Sequence, residues 1–128
     1  KTNGTIVYDG SIAGVGKITT PIKLEVKKGK ATIVSKNKDS TKLKKLLESV
    51  GPKAYNLAEL GIGTNPNAIL TGNVLEDEKV LGTCHIALGN DLSYNGTNNV
   101  PIHLDGIILK PTITVDGKII MKDGKEYF

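Results

Sequence analysis

Short segments that alternate apolar and polar residues dominate this chain, and they constrain its fold most. Residues 22–26 (IKLEV) alternate strictly, and a turn at residues 27–30 (KKGK) leads into residues 31–34 (ATIV). A period of two is typical of a strand with one buried and one wet face, and the glycine in the turn predicts a hairpin. Asp116-Gly117, between two further apolar runs, predicts a second hairpin. The chain is therefore expected to be mainly β.

The segment 41–50 has the period of a helix instead. Residues 39–41 (DST) offer N-cap chemistry before it, and Gly51-Pro52 ends it. Its apolar residues share one stripe, which favours packing against the core of the domain: Leu43, Leu46, Leu47 and Val50. We therefore predict an α+β fold that is mainly β, a twisted antiparallel sheet or partial barrel with one main helix at about residues 41–50.

The length of 128 residues fits a single domain that spans residues 1–128. The first residue is Lys1 rather than Met, and strand-like sequence follows almost at once, which suggests a piece of a longer protein. Cys84 is the one cysteine, so no internal disulfide forms, and this favours a reducing, cytoplasmic interior. No apolar run approaches the length of a membrane span, so no membrane contact is expected.

Charge is distributed unevenly along the chain. Residues 1–53 carry a balance of +8, whereas residues 54–128 carry −4. A basic half can indicate nucleic acid, but all basic residues are lysines and no aromatic residues are interleaved among them. We therefore interpret the lysines as a solvated face and expect no nucleic acid partner. The acidic half would attract cations.

Four candidate ligands lie in that acidic half. His103 and Asp105 are two residues apart on a predicted strand, so their side chains project side by side. His85 lies on the preceding predicted strand with only small residues beyond it on its own face, whereas Cys84 faces the other way. Glu59 lies on a further strand, on a face that it shares with two glycines. Glycines beside a carboxylate leave room for something bulky, which a packing position would not need.

These residues suit a divalent metal if their strands are neighbours. Two imidazoles and two carboxylates fit Zn²⁺, Mn²⁺, Co²⁺ or Fe²⁺, and they do not fit calcium, which prefers oxygen cages. A bridging Glu59 would hold two ions close together, and the pair would activate water for attack on an amide. The sequence leaves open one ion or two. Each residue alone also has a structural interpretation, as a hydrogen-bonded histidine or an exposed glutamate. The acids at residues 76–78 (EDE) are interpreted as a solvated bend.

Longer segments resemble a known family. AELGIGTNPNAILTGNVLEDEKVLGTCHIALG and IHLDG closely resemble the C-terminal part of the aminopeptidase T-like metallopeptidases, the M29 family, and weaker similarity in GTIVYDGSI and TTPIKLEVKKGKATIV extends over most of the chain. The resemblance implies an exopeptidase that uses two Zn, Co or Mn ions to remove N-terminal amino acids from peptides. It also implies a homodimer and an N-terminal domain in the parent chain. By motif, Glu59 matches a metal-binding and catalytic glutamate, His85 the first histidine, and His103 and Asp105 the His-x-Asp pair.

Two departures from the family pattern bear on activity. The family also uses a glutamate from a Pro-x-Gly-Glu motif just upstream of the region matched here, and residues 1–128 contain no such motif. The family places a tyrosine shortly after the first histidine; that spacing falls on Leu92, and Tyr94 matches only approximately. We therefore expect an incomplete metal site in this chain and no peptidase activity from it alone.

Two alternatives remain open. The dihydroxypyridine ring-cleaving dioxygenases resemble M29 proteins and bind one Fe²⁺ through two histidines and an aspartate, a triad that His85, His103 and Asp105 would supply equally well. The other alternative is a metal-free structural domain that mediates dimerisation.

Overall fold

The computed structural model describes all of residues 1–128 and confirms a mainly β α+β fold with one main helix. All strands pair antiparallel, and they form three sheets, none of which closes into a barrel. The strands are β1 (Gly4–Tyr8), β2 (Ser11–Ile12), β3 (Gly16–Lys17), β4 (Ile22–Lys27), β5 (Lys30–Ile33), β6 (Leu57–Ile62), β7 (Thr83–Gly89), β8 (His103–Leu109), β9 (Ile113–Val115), β10 (Lys118–Lys122) and β11 (Lys125–Glu126). The helices are α1 (Lys38–Val50) and the single turn α2 (Val74–Asp77), and short 3₁₀ turns lie at Pro52–Tyr55 and Leu92–Tyr94.

The first sheet has the strand order β1-β4-β5 and packs against α1. Burial in β4 alternates at every residue, and Ile22, Leu24 and Val26 face inward. The turn to β5 has positive φ at Lys28 and Gly29, a backbone that glycine adopts without strain. Leu43 and Leu47 of α1 are fully buried against this sheet. The first predicted hairpin and the core-packing stripe of the helix are therefore confirmed.

Helix α1 begins three residues before the predicted start at residue 41, because Asn37 is its N-cap. The Asn37 side chain accepts a hydrogen bond from the Ser40 amide at 2.8 Å. The prediction that residues 39–41 cap the helix is therefore wrong, since they form its first turn. Asp39 instead binds the preceding segment, where its carboxylate accepts hydrogen bonds from the Thr19 and Thr20 amides. The helix ends at Gly51, which has a φ of 112°.

The second sheet has the order β3-β2-β8-β7-β6, so the three strands with the candidate ligands are neighbours. Its inner face packs on the core, where the buried Tyr8 hydroxyl donates a hydrogen bond to the Ile86 carbonyl at 2.9 Å. Gly106 is needed on this face, since a Cβ there would lie 2.2 Å from the Tyr8 ring. The other face of β6, β7 and β8 carries the candidate site.

The third sheet is a C-terminal meander with the order β9-β10-β11. The predicted turn at Asp116-Gly117 joins β9 and β10, and both turn residues have positive φ, as a two-residue hairpin turn requires. Val115 and Ile119 on this hairpin are exposed. No helix of the protein is both long enough and apolar enough to cross a membrane.

Candidate metal centre

The register of β6, β7 and β8 brings the four predicted ligand residues together around Ala87. Ala87 pairs with Glu59 on one side and with Asp105 on the other. His85 precedes Ala87 by two residues on the same face, and His103 pairs with Gly89, two residues beyond Ala87. The small side chain of Ala87 therefore forms the floor of a cluster of four larger polar ones.

Glu59 links the two histidines. Its Oε1 lies 3.2 Å from His85 Nε2, and its Oε2 lies 3.0 Å from His103 Nε2. One carboxylate thus contacts two imidazoles from two different strands. Glu59 therefore lies between the two histidines, where a carboxylate that bridges two ions would be placed.

The glycines beside Glu59 have different roles. Gly61 pairs with His85, and a Cβ on it would lie 2.1 Å from His85 Nε2. The room that Gly61 leaves is therefore occupied by the His85 ring. A Cβ on Gly63 would instead lie 2.1 Å from the Val80 carbonyl oxygen, so Gly63 permits backbone packing and does not serve the site.

His85 is the most buried of the four residues, with 8% of its surface exposed. While its Nε2 contacts Glu59, its Nδ1 has no hydrogen-bond partner and is shielded from solvent. Asp105 Oδ1 is likewise buried without a hydrogen bond, at 3.6 Å from His103 Nε2. Buried polar atoms without partners are costly. A metal ion or another polar group bound at the cluster would satisfy both atoms.

His103 is oriented from behind by the loop that joins β7 and β8. Its Nδ1–H donates a hydrogen bond to the Asn90 carbonyl at 2.7 Å, which directs Nε2 toward Glu59 and Asp105. The ring also stacks on Tyr94, with centroids 6.1 Å apart and planes at 18°. A hydrogen bond to the outer nitrogen is the usual way in which proteins fix a metal-binding imidazole.

Burial and close contacts between the clustered side chains shift the pKa values of Glu59, His103 and Asp105. Burial alone would raise the pKa of Glu59, but hydrogen bonds from Tyr94, His85 and His103 lower it below its ordinary value. Burial alone would lower the pKa of His103, but the Asn90 carbonyl and the carboxylates of Asp105 and Glu59 raise it. Burial and the nearby Glu59 raise the pKa of Asp105, although His103 opposes them. Relative to the same groups in water, the surroundings therefore favour the charged forms of Glu59 and His103.

Glu78 joins the cluster, although the sequence pattern assigned it to a solvated bend. The ligand atoms of Glu78, His85 and Asp105 lie within 4.8 Å of one another, as do those of Glu59, His103 and Asp105. The two groups share Asp105. Glu78 was missed because it directly follows the single turn α2. A segment this short shows neither the alternation of a strand nor the stripe of a helix, so the sequence does not predict where the Glu78 side chain points.

The acid before it, Asp77, is also not solvated. It is 2% exposed, and its carboxylate accepts hydrogen bonds from the Ser11 hydroxyl at 2.7 Å and from the Thr71 and Gly72 amides. Asp77 is therefore a structural residue that fixes the turn from which Glu78 extends. The interpretation of residues 76–78 as a solvated bend is wrong for these two positions.

Tyr94, the approximate match for the family tyrosine, lies at the site. A hydrogen bond to Glu59 raises the pKa of the Tyr94 hydroxyl, and the ring is 53% exposed at the edge of the cluster. Leu92, on which the family spacing falls, is an exposed residue at the start of the same 3₁₀ turn. Cys84 is buried on the opposite face of β7 and takes no part in the cluster.

The residues present fit divalent transition metals. Two imidazoles and three carboxylates, in two overlapping groups of three, are the mixed nitrogen and oxygen donors that Zn²⁺, Mn²⁺, Co²⁺ and Fe²⁺ accept. The fold and the cluster thus define a class of protein: a mainly antiparallel β domain that carries a partly buried cluster of metal-ligand residue types on one sheet face.

Comparison with known sequences identifies the family. The model of the thermophilic metalloprotease (M29) family matches residues 1–127. The chain belongs to this family of metal-dependent peptidases.

A solved structure has a similar fold. It is the 2,5-dihydroxypyridine dioxygenase from Pseudomonas putida KT2440, with a TM-score of 0.86 and 24% sequence identity over 97% of this chain. The match covers 40% of the dioxygenase chain, so the present chain spans less than half the length of that protein. A comparison with curated proteins finds no significant match.

Proposed function

We propose that this chain carries most of the metal centre of a metalloaminopeptidase that releases N-terminal amino acids from peptides. One observation supports this above the others: two groups of three donors, Glu59–His103–Asp105 and Glu78–His85–Asp105, meet at one carboxylate. Two donor groups with a shared ligand suit a pair of ions, and the family is one of metal-dependent peptidases. The metals that suit the donors are Zn, Co or Mn.

Each residue has a distinct proposed role. A pair of divalent ions supplies Lewis-acid catalysis and makes water a stronger nucleophile at neutral pH. Glu59 is the catalytic carboxylate that lies between the two sides of the site, where it contacts both His85 and His103. Asp105 is the shared ligand. His85 and His103 hold one side each, and Asn90 fixes the orientation of His103.

The complete enzyme extends beyond these residues. We propose that it acts in the cytoplasm on peptide substrates, as a homodimer, with an N-terminal domain of the parent chain beside the domain described here. A glutamate from that part of the parent chain would complete the ligand set, as the family resemblance implies. Peptidase activity is therefore expected of the parent protein and not of this chain by itself.

Metal binding tests the proposal directly. Titration of the full-length parent protein with Zn²⁺ or Co²⁺ should load two ions per chain, counted by elemental analysis after removal of free metal. Asp105→Asn removes the donor common to both groups, so bound metal should fall to less than one ion per chain. Asp116→Asn, at an exposed hairpin turn, is the matched control and should bind as the wild type does. Unchanged loading in Asp105→Asn would rule out this site.

The similar dioxygenase fold supports a second candidate, a ring-cleaving enzyme with one Fe²⁺ held by His85, His103 and Asp105. The two glutamates separate the candidates, because only the peptidase needs them as ligands. Under the dioxygenase proposal, Glu59→Gln and Glu78→Gln should each retain one Fe²⁺ with near wild-type affinity. Under the peptidase proposal, each should lose one of two ions. A protein that binds no metal at all would favour the third alternative, a structural domain for dimerisation.

A further inference from the structure

We propose that Asp91 is a positioning residue of the metal centre: it locks the loop between β7 and β8 so that Asn90 and Tyr94 hold His103. The inference rests on the proposed function, because it assigns a role toward the same site. Asp91 itself contacts none of the five candidate ligands. It acts through the loop that surrounds one of them.

The loop has little regular structure of its own. Residues 90–102 contain only the short 3₁₀ turn Leu92–Tyr94, and most of their side chains are half-buried or exposed. Nevertheless, this loop supplies two direct contacts to His103. The Asn90 carbonyl accepts the Nδ1–H at 2.7 Å, and the Tyr94 ring stacks on the imidazole. Something other than core packing must therefore hold the loop in place.

Asp91 is the residue on which the hydrogen bonds of the loop converge. Its carboxylate accepts the Asn98 amide at 2.8 Å and the Asn56 side-chain amide at 3.2 Å. Its backbone carbonyl accepts the amides of Tyr94 and Gly96, both at 3.0 Å, and its own amide donates to the Asn98 carbonyl at 3.2 Å. Asn98 in the second half of the loop, the Tyr94 turn and the Asn56 side chain are thus tied to one residue.

The carboxylate is also fitted closely into the loop. A Cβ on Gly96 would lie 2.0 to 2.3 Å from the Asp91 carboxyl atoms, so only glycine at residue 96 admits this arrangement. The two asparagines that bind Asp91 also donate to the Gly89 carbonyl, Asn98 at 2.8 Å and Asn56 at 3.2 Å. Gly89 is the last residue of β7 and pairs with His103. The hydrogen-bond network of Asp91 therefore extends to Gly89, the residue of β7 that pairs with the candidate ligand His103.

Loss of the Asp91 carboxylate is expected to loosen the orientation of the His103 ring. Without the carboxylate, the Asn98 amide and the Asn56 side chain lose an acceptor. The backbone hydrogen bonds of Asp91 remain, but they alone hold the Asn90 carbonyl and Tyr94 less firmly against His103. The imidazole can then rotate or change tautomer, so Nε2 is directed at the site for only part of the time. Mutation of the groups that hydrogen-bond the outer nitrogen of a metal-binding histidine typically weakens metal affinity by about 10- to 100-fold.

The experiment compares Asp91→Ala with wild type and with Asp116→Asn, a substitution in an exposed turn outside the cluster whose positive φ asparagine tolerates. Co²⁺ affinity is measured by competition with a chelator, and the nitrogen chemical shifts of His103 are measured by NMR in metal-free protein. We expect about 10- to 100-fold weaker Co²⁺ binding, a shifted Nδ1 signal and a preserved fold for Asp91→Ala. Asp91→Asn retains one carbonyl acceptor for the Asn98 amide and should recover part of the affinity.

The outcomes separate this inference from the proposed function. If the wild type binds no Co²⁺, the proposed function fails, while the metal-free His103 signals still report whether Asp91 sets the orientation of the ring. If Asp91→Ala leaves both the affinity and the His103 signals unchanged, the positioning role is overturned. If Asp91→Ala unfolds the domain, or if Asp91→Asn recovers none of the affinity, Asp91 is a stability residue and the positioning role is likewise overturned.

Discussion

Gly61 has a role at the residue scale that only the register of the strands explains. It lies opposite His85, and the histidine ring fills the space where a side chain would begin. Glu59 receives that ring on Oε1 and His103 on Oε2. The position of the His85 ring therefore depends on the absence of a Cβ at Gly61 as well as on the backbone of β7.

Gly61→Ala is expected to displace His85 from Glu59. The new Cβ would overlap His85 Nε2 at 2.1 Å. The ring is expected to rotate away, because the ladder of hydrogen bonds between β6 and β7 fixes the distance between the two backbones. We expect at least about tenfold weaker Co²⁺ binding, which corresponds to loss of about 1.4 kcal/mol of binding free energy.

His85→Ala supplies the control for this prediction. In a double-mutant cycle, Gly61→Ala should have little further effect once the histidine is absent, because the clashing atom is gone. An equal additional loss of affinity in the His85→Ala background would show that Gly61 acts through something other than the imidazole.

At the element scale, the N-terminus of α1 is fixed by two residues with different tasks. Asn37 caps the helix, while Asp39 in its first turn accepts the amides of Thr19 and Thr20 and the Thr19 hydroxyl. These amide hydrogen bonds lower the pKa of Asp39 below its ordinary value of 3.8. A carboxylate in the first turn also interacts favourably with the helix dipole. Asp39 thereby connects α1 to the segment between β3 and β4.

The stability that Asp39 contributes should depend on pH. Its pKa is lower in the folded state than in the unfolded state, so the contribution is fully present above the unfolded value and is lost as the pH falls through the folded pKa. Asp39→Asn should destabilise the domain by about 1–3 kcal/mol at pH 7. The difference from wild type should shrink as the pH falls below about 4.

Urea unfolding of both proteins at pH 7 and at pH 3 measures this difference. Asp116→Asn, in an exposed turn, corrects for the general loss of a charge. A difference that is as large at pH 3 as at pH 7 would mean that the ionised carboxylate is not the stabilising species.

The sequence predicted which face of a strand each candidate ligand lies on, whereas it did not predict where side chains in turns point. The period of two assigns Glu59, His85, His103 and Asp105 to faces correctly relative to their neighbours. The sequence left the adjacency of β6, β7 and β8 as a condition, which sequential antiparallel strands usually meet and which the structure shows to be met. Glu78 escaped prediction because its place in the cluster depends on a single turn of backbone and on residues distant in sequence. The capping role of Asn37 was missed for a local reason: residues 37–41 contain several residue types that cap helices, and the sequence does not decide among them.

At the scale of the whole molecule, Asp77 connects parts of the chain that no sheet joins. Its buried carboxylate binds Ser11 of β2, 66 residues away in sequence, together with the amides of Thr71 and Gly72. Strand β2 of the second sheet, the segment before α2 and α2 itself therefore meet at one side chain. Because Glu78 follows directly, the position of a candidate ligand depends on this connection.

Asp77→Ala should be among the most destabilising single substitutions outside the apolar core. It would leave the Ser11 hydroxyl and two backbone amides without their acceptor in a buried position, at a cost of about 2–4 kcal/mol in the free energy of unfolding. Glu76→Ala is the matched control, because its single hydrogen bond to the Ile69 amide is long, at 3.3 Å, and exposed. We expect Glu76→Ala to change the unfolding free energy by less than about 1 kcal/mol. Chemical denaturation of both variants, followed by circular dichroism, measures the difference. Equal effects of the two substitutions would mean that the buried carboxylate does not hold these segments together, and that Glu78 is positioned by α2 alone.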